Sequence, residues 1–319
     1  LAGEGLYGID HIDYSLMRFP RPTAILAATQ DFFEIDSTRE TVRDAKAVFG
    51  ALGQADRFAF FEADTTHGMH VGHRQEATRW MRQWLYNDSS PVTEPKDIRL
   101  FTDAELQVTR TGQVHNDFPD EANVADISLR LASRLETKRR RFWAGNPAKA
   151  LAKVRKLIGL PENLPQPRVE RGGQAQTNWA RIDKFTLQRT GDMPVPALLF
   201  RPPGNTSHAL DVVVYADDRG MRSAAHANGP IRKLVNESTA VFAVDLRGLG
   251  ETRDQGSNAK YHSHSHRVGN VATHIGQPLL GQRVRDLLAV VDYLNEVGNE
   301  RVRSIRVIGV GSAGPVALH

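Results

Sequence analysis

The sequence predicts an α/β protein, and three observations predict it. Apolar runs of strand length alternate with segments whose apolar residues recur at helical spacing. Several of those runs are almost continuously apolar, as strands covered on both faces are. No run approaches the roughly 20 apolar residues that a membrane-spanning helix needs. With 319 residues, 40% of them hydrophobic and 24% charged, the chain has material for two cores.

Taken in order, residues 21–29 form a strand ending at Asp31, and residues 38–52 repeat apolar side chains at helical spacing through Val42, Ala45, Val48 and Phe49. Residues 57–63 are a second strand, residues 64–68 a loop, and residues 74–85 a helix with Ala77, Trp80, Met81 and Trp84 on one face. This repeated strand–loop–helix order implies a parallel sheet, whose functional groups sit on loops at the carboxyl ends of the strands. Asp31 and His67 occupy two such loops. Residues 87–95 read as a linker, and the polar stretch to Pro119 as irregular or β. Residues 122–160 turn helical, with Asn146-Pro147 breaking one helix from the next, and residues 161–176 are again Pro/Gly-rich.

A hairpin follows, residues 185–187 and 197–200 joined through the turn at Arg189-Thr190-Gly191-Asp192. Three buried-type strands come after it, at residues 211–216, 239–244 and 304–310, with a strong helix at 281–297 before the last. The expected division is residues 1–86 as the carboxyl-terminal part of one α/β unit, 87–180 as linker and helical segment, and 181–319 as the amino-terminal part of a second.

Cysteine is absent, which excludes disulfides, thiolate metal sites and cysteine nucleophiles and leaves the compartment open. The net charge of +4 comes from mostly interspersed acids and bases and does not require a nucleic-acid partner. The chain starts at Leu1, residues 1–17 have neither the basic start nor the apolar middle of a signal peptide, and residues 314–319 stop where a helix begins. Both ends are therefore expected to be truncated.

Acyl transfer by a serine hydrolase needs a nucleophile, a histidine that takes and returns its proton, and a carboxylate that orients the histidine. Asp31 and His67 have the places and order of the last two. Spacing alone is equally met if Asp31 caps the following turn and His67 is a surface loop residue. His70 and His73 are weaker candidates, and a metal site of His67, His70 and His73 lacks the His-Glu-x-x-His arrangement.

The segments Pro20-Arg21-Pro22-Thr23, Ala27-Ala28-Thr29-Gln30-Asp31-Phe32-Phe33, Thr38-Arg39-Glu40-Thr41, His67-Gly68, Arg74-Gln75-Glu76-Ala77 and Trp80-Met81-Arg82-Gln83-Trp84-Leu85 resemble the carboxyl half of acetyl xylan esterase-like hydrolases. These are two-module relatives of the dienelactone-hydrolase and prolyl-oligopeptidase group. The resemblance covers residues 8–86, and more loosely 180–319. It implies the α/β-hydrolase fold, Asp31 as the acid, His67 as the histidine, and a nucleophilic serine upstream of Leu1.

In the second unit, Val244-Asp245-Leu246-Arg247-Gly248-Leu249-Gly250-Glu251-Thr252 resembles the turn after a central hydrolase strand, and Pro278-Leu279-Leu280-Gly281-Gln282-Arg283 opens the helix before the elbow. The elbow pattern Gly-x-Ser-x-Gly puts serine on a sharp strand-to-helix turn. Two registers fit Gly309-Val310-Gly311-Ser312-Ala313-Gly314. One places Gly311 at the nucleophile position and leaves the unit silent. The other makes Ser312 the nucleophile and puts Val310 where a small residue belongs.

Three further features have simpler readings. Lys138-Arg139-Arg140-Arg141-Phe142-Trp143 reads as a solvated helix end rather than a nucleic-acid patch. His262, His264 and His266 alternate with serine in what reads as a long polar loop, with no carboxylate pattern to complete a metal site. Gly309, Gly311 and Gly314 have dinucleotide-fingerprint spacing without its acidic partner. The expected function is a serine-type ester hydrolase, with deacetylation of carbohydrate implied by the resemblance. The alternative is a silent or carbohydrate-binding module. No cofactor is implied, the partner is a small-molecule or polysaccharide ester, neither nucleic acid nor membrane is expected, and nothing in the sequence sets the oligomeric state.

Overall fold

The computed structural model describes residues 4–204, 209–253, 264–297 and 302–319. Contacts divide the chain into residues 8–135, and residues 136–319 together with the segment before Gly8. The fold class is α/β in both.

In residues 8–135, α1 (His11–Leu16) starts at Asp10, whose carboxylate and that of Asp13 form a reciprocal cap. β1 (Thr23–Gln30) leads to α2 (Ile35–Ala51), then β2 (Phe58–Thr66) to α3 (Val71–Tyr86). β1 and β2 pair in parallel, Thr23 beside Phe58 and Gln30 beside Thr66, so the loops after both strands emerge side by side. The buried stripe of α2 is Val42, Ala45 and Phe49, spaced three and four apart as one helix face requires. It packs on Phe58, with Phe19 edge-on to Phe49 at 5.2 Å. β2 runs three residues beyond its expected end, through what the sequence marks as loop. The polar residue responsible, Asp64, is satisfied across the ladder by the side chains of Thr29 and Gln30 in β1.

The polar stretch holds two single-turn helices, α4 (Asp103–Leu106) and α5 (Val114–Asp117), and no strand among its described residues. α6 (Val124–Gly145) and α7 (Pro147–Leu157) follow, and the Asn146 side chain caps α7 by accepting from the Lys149 N–H at 2.9 Å. The basic run lies in the exposed last turns of α6, where Arg140 pairs with Glu136 one turn back.

Residues 136–319 build a six-stranded sheet from β3 (Arg168–Gln176), β4 (Arg181–Gln188), β5 (Val195–Arg201), β6 (Leu210–Asp217), β7 (Thr239–Val244) and β8 (Val302–Val310) in the order β3-β4-β5-β7-β6-β8. The β3 to β5 strands and the β5–β7 pair are antiparallel, whereas β7-β6-β8 are parallel. Short helices α8 (Met221–Ala224) and α9 (Pro230–Leu234) follow β6. α10 (His264–His274) and α11 (Leu279–Val297) precede β8, and α12 (Gly314–Ala317) follows it. One face of the sheet buries Leu187, Val214, Phe242 and Leu246 against Val284 and Val290 of α11. The other buries Val213, Tyr215 and Val241 against Met221 and Ile231.

Two segments differ from expectation. The Pro/Gly-rich stretch ending at Gln176 contains β3, an exposed edge strand with a bulge between Arg171 and Gly173, so it carries no apolar alternation to read. The expected polar loop around the alternating histidines becomes α10 from His264 onward, in which His266 bonds Asn270 one turn on. His262 lies outside the described residues. Among the described residues no helix is long and apolar enough to cross a membrane, and no three His, Asp or Glu side chains are grouped to hold a metal ion.

Candidate active site

Because β1 and β2 are adjacent and parallel, Asp31 and His67 stand at neighbouring strand ends, and the structure brings them into contact. His67 Nδ1 lies 2.9 Å from Asp31 Oδ2 and 3.1 Å from Oδ1. Asp31 is held from behind, since its Oδ1 also accepts the Phe33 N–H at 3.1 Å, a side-chain-to-backbone turn two residues long. Burial alone would raise the Asp31 pKa, but the Phe33 amide and His67 outweigh it and hold the carboxyl below its ordinary value. The group is therefore ionised and available to fix the imidazole as its Nδ1–H tautomer.

That leaves Nε2 as the working atom. The Asp31 side chain is only 14% exposed whereas that of His67 is 58% exposed, and no described residue bonds Nε2. Gly68, at φ +150°, turns the chain directly after the histidine, a conformation that side-chain-bearing residues rarely adopt. The Phe32 ring lies over the imidazole with centroids 4.5 Å apart and 42° between planes, and Phe33 stacks beside Phe32. Both phenyl rings are largely exposed and form an apolar wall beside the imidazole. The sequence places these phenylalanines directly after Asp31 but carries no local signal of this contact.

The other two histidines of the segment are occupied in the fold. His70 Nε2 lies 3.0 Å from the Thr66 carbonyl. His73 is 2% exposed and its Nε2 donates to the Ala27 carbonyl of β1 at 2.9 Å, which makes it a strut between α3 and the sheet.

Ser312 belongs to the other unit. β8 ends in a tight turn, Gly311–Ala313, with Gly311 at φ +60°. The Ser312 N–H donates to Asp218 Oδ2 at 2.9 Å, and no described histidine of that unit bonds the Ser312 hydroxyl. Asp245, fully buried at the end of β7, accepts the N–H groups of Met221 at 2.6 Å and Glu251 at 2.8 Å and so ties the loops after β6 and β7 together. Burial pushes its pKa up, against the pull of those two amides.

No family model matches the chain, and no curated protein matches it at a significant level. Among solved structures it is similar to one named as an acetyl xylan esterase from Bacteroides fragilis, with 14% identity over 56% of this chain and 49% of that one, at a TM-score of 0.43. It is similar to acetyl xylan esterase 1 from a Thermoanaerobacterium species, with 16% identity over 48% of each chain and a TM-score of 0.36. A third is an acetyl xylan esterase from a Paenibacillus species, with 21% identity over 56% of this chain and 52% of that one, also at 0.36. The chain spans about half the length of each.

Proposed function

We propose that this protein is a serine-type ester hydrolase in which Asp31 and His67 form the acid–base pair. The single observation that supports this reading is the 2.9 Å contact between His67 Nδ1 and an ionised Asp31, with Nε2 bonded by no described residue. In the proposed reaction His67 Nε2 takes the proton of a serine hydroxyl as its oxygen forms a bond to the ester carbonyl carbon. The carbonyl electron pair moves to the oxygen, then returns to expel the alkoxide, which takes the proton back from Nε2. Water repeats the sequence on the acyl-enzyme and releases the acid. Asp31 stabilises the imidazolium that exists between the two transfers and keeps Nε2 aimed at the reacting atoms.

No serine hydroxyl of residues 8–135 bonds Nε2, so the reading takes the nucleophile from upstream of Leu1, as the family resemblance implies. Ser312 is left out of this mechanism because of what surrounds it. The substrate we propose is an acetyl ester of carbohydrate, a choice supported by the resemblance alone. The alternative, a silent module, is favoured for residues 136–319 by the glycine at position 311. The test is hydrolysis of a chromogenic acetate ester by this chain and by a polypeptide extended upstream. The reading expects turnover in the extended form and its loss in His67→Ala; turnover in the extended form that survives His67→Ala rejects it.

A further inference from the structure

We infer that Asp218 is a built-in occupant of the turn after β8, and that this turn carries out no acyl transfer. In a hydrolase elbow the side chain on the sharp strand-to-helix turn is the nucleophile, and the N–H of the following residue is one of the donors that receive the oxyanion. Here the residue in the left-handed conformation is Gly311, at φ +60°, so the following N–H is that of Ser312. That N–H is already donated to Asp218 Oδ2 at 2.9 Å. A Cβ placed on Gly311 would lie 1.9 Å from the same oxygen and 2.4 Å from the carboxyl carbon. One carboxylate thus takes both the space of a nucleophile's side chain and the donor that an oxyanion would need. An arriving oxyanion would also meet a like charge at hydrogen-bond distance from its donor.

The placement of Asp218 is built, not incidental. Its own N–H bonds the Val310 carbonyl at the end of β8, at 3.3 Å. Its neighbour Asp217 is buried and holds Arg219 through the Arg219 backbone N–H at 3.0 Å and the guanidinium at 3.1 Å, with the Tyr215 hydroxyl at 3.3 Å. The segment is therefore anchored on both sides of the carboxylate that reaches the turn. This inference rests on reading the sheet as hydrolase-like, but its test needs no ester turnover and is separable from the esterase proposal.

The experiment crosses Gly311→Ala with Asp218→Gly in the whole chain and follows urea unfolding. Gly311→Ala alone should lower the midpoint clearly, because the new methyl and the carboxylate compete for one place. In the Asp218→Gly background the loss should shrink to less than half, since only the backbone strain of a left-handed alanine remains. Folding of the double variant where Gly311→Ala alone does not fold carries the same meaning. Equal losses in both backgrounds overturn the inference. A second measurement holds even if the alanine variants do not fold: wild-type chain is treated with a fluorophosphonate, which labels activated serines, and digested for mass spectrometry. Unmodified Ser312 is expected; stoichiometric modification at Ser312 overturns the inference.

Discussion

Asp286→Ala should destabilise residues 136–319 more than any exposed substitution, by an amount that follows from the buried charges around it. Asp286 is 2% exposed and accepts three bonds from Arg247: the backbone N–H at 2.9 Å, Nε at 2.9 Å and Nη2 at 2.5 Å. Arg247 in turn reaches Gln282 at 2.8 Å and Asp192 at 2.9 Å, and Arg283 donates to the Arg247 carbonyl at 3.0 Å. The network ties the turn of the β4–β5 hairpin and the loop after β7 to α11. Burial depresses the Arg283 pKa, Asp286 opposes that, and Arg247 adds to it, so deleting Asp286 removes the carboxylate that offsets the burial of Arg283 and leaves Arg247 with the carboxylate of Asp192 alone. Removing one partner of a buried pair costs about 3–5 kcal/mol. With a urea slope of about 2 kcal/mol per molar, the midpoint should fall by roughly 2 M. Peptide-resolved hydrogen exchange should show the loss of protection in the hairpin turn and the start of α11. Replacing both charges, as Arg247→Met with Asp286→Leu, should recover most of the stability, because apolar pairs of similar volume often substitute for buried ions without loss. A cost below about 1 kcal/mol for Asp286→Ala would refute the reasoning.

Four other outcomes follow from the geometry of residues 8–135. In a form that turns over ester, Asp31→Asn should lower kcat by about 10²–10⁴-fold, the range of general acid–base contributions, with KM little changed. The folded Asp31 pKa is depressed from 3.8, so its stabilising contribution is present above that value and is lost as pH falls through the lower folded value. The midpoint difference between wild type and Asp31→Asn should accordingly shrink as pH falls below about 4, and a difference that does not shrink there speaks against it. Phe32→Ala should cost a few-fold in kcat, as loss of one ring contact of about 0.5–1.5 kcal/mol implies, and Phe32→Tyr should restore it. His73→Leu should lower stability by about 1–3 kcal/mol by stranding the Ala27 carbonyl, while added chelator leaves activity unchanged.

Much of the fold is legible in the sequence because its signals are local. The strands at Thr23–Gln30 and Phe58–Thr66 and the stripe Val42, Ala45 and Phe49 announce themselves by spacing, and their parallel pairing follows from the intervening helix. Asp31 and His67 are legible for the same reason, as polar residues directly past two such strands. What the sequence hides depends on partners far along the chain. Asp64 joins a strand because Thr29 and Gln30 receive it from β1. β3 has no buried face to show, and the serine–histidine composition before α10 resembles a loop more than a helix. Asp218 and the Ser312 amide are separated by 94 positions, so no local pattern reveals that one fills the other's turn.

The most direct test of the central claim is the rate of chromogenic acetate ester hydrolysis by the upstream-extended polypeptide, compared with its His67→Ala and Asp31→Asn forms at equal folded concentration. The account predicts turnover in the unsubstituted form, its near-complete loss without His67, and a rate about 10²–10⁴-fold lower when Asp31 loses its charge. Equal rates in all three would contradict it, because the 2.9 Å contact between Asp31 and His67 would then have no part in the chemistry.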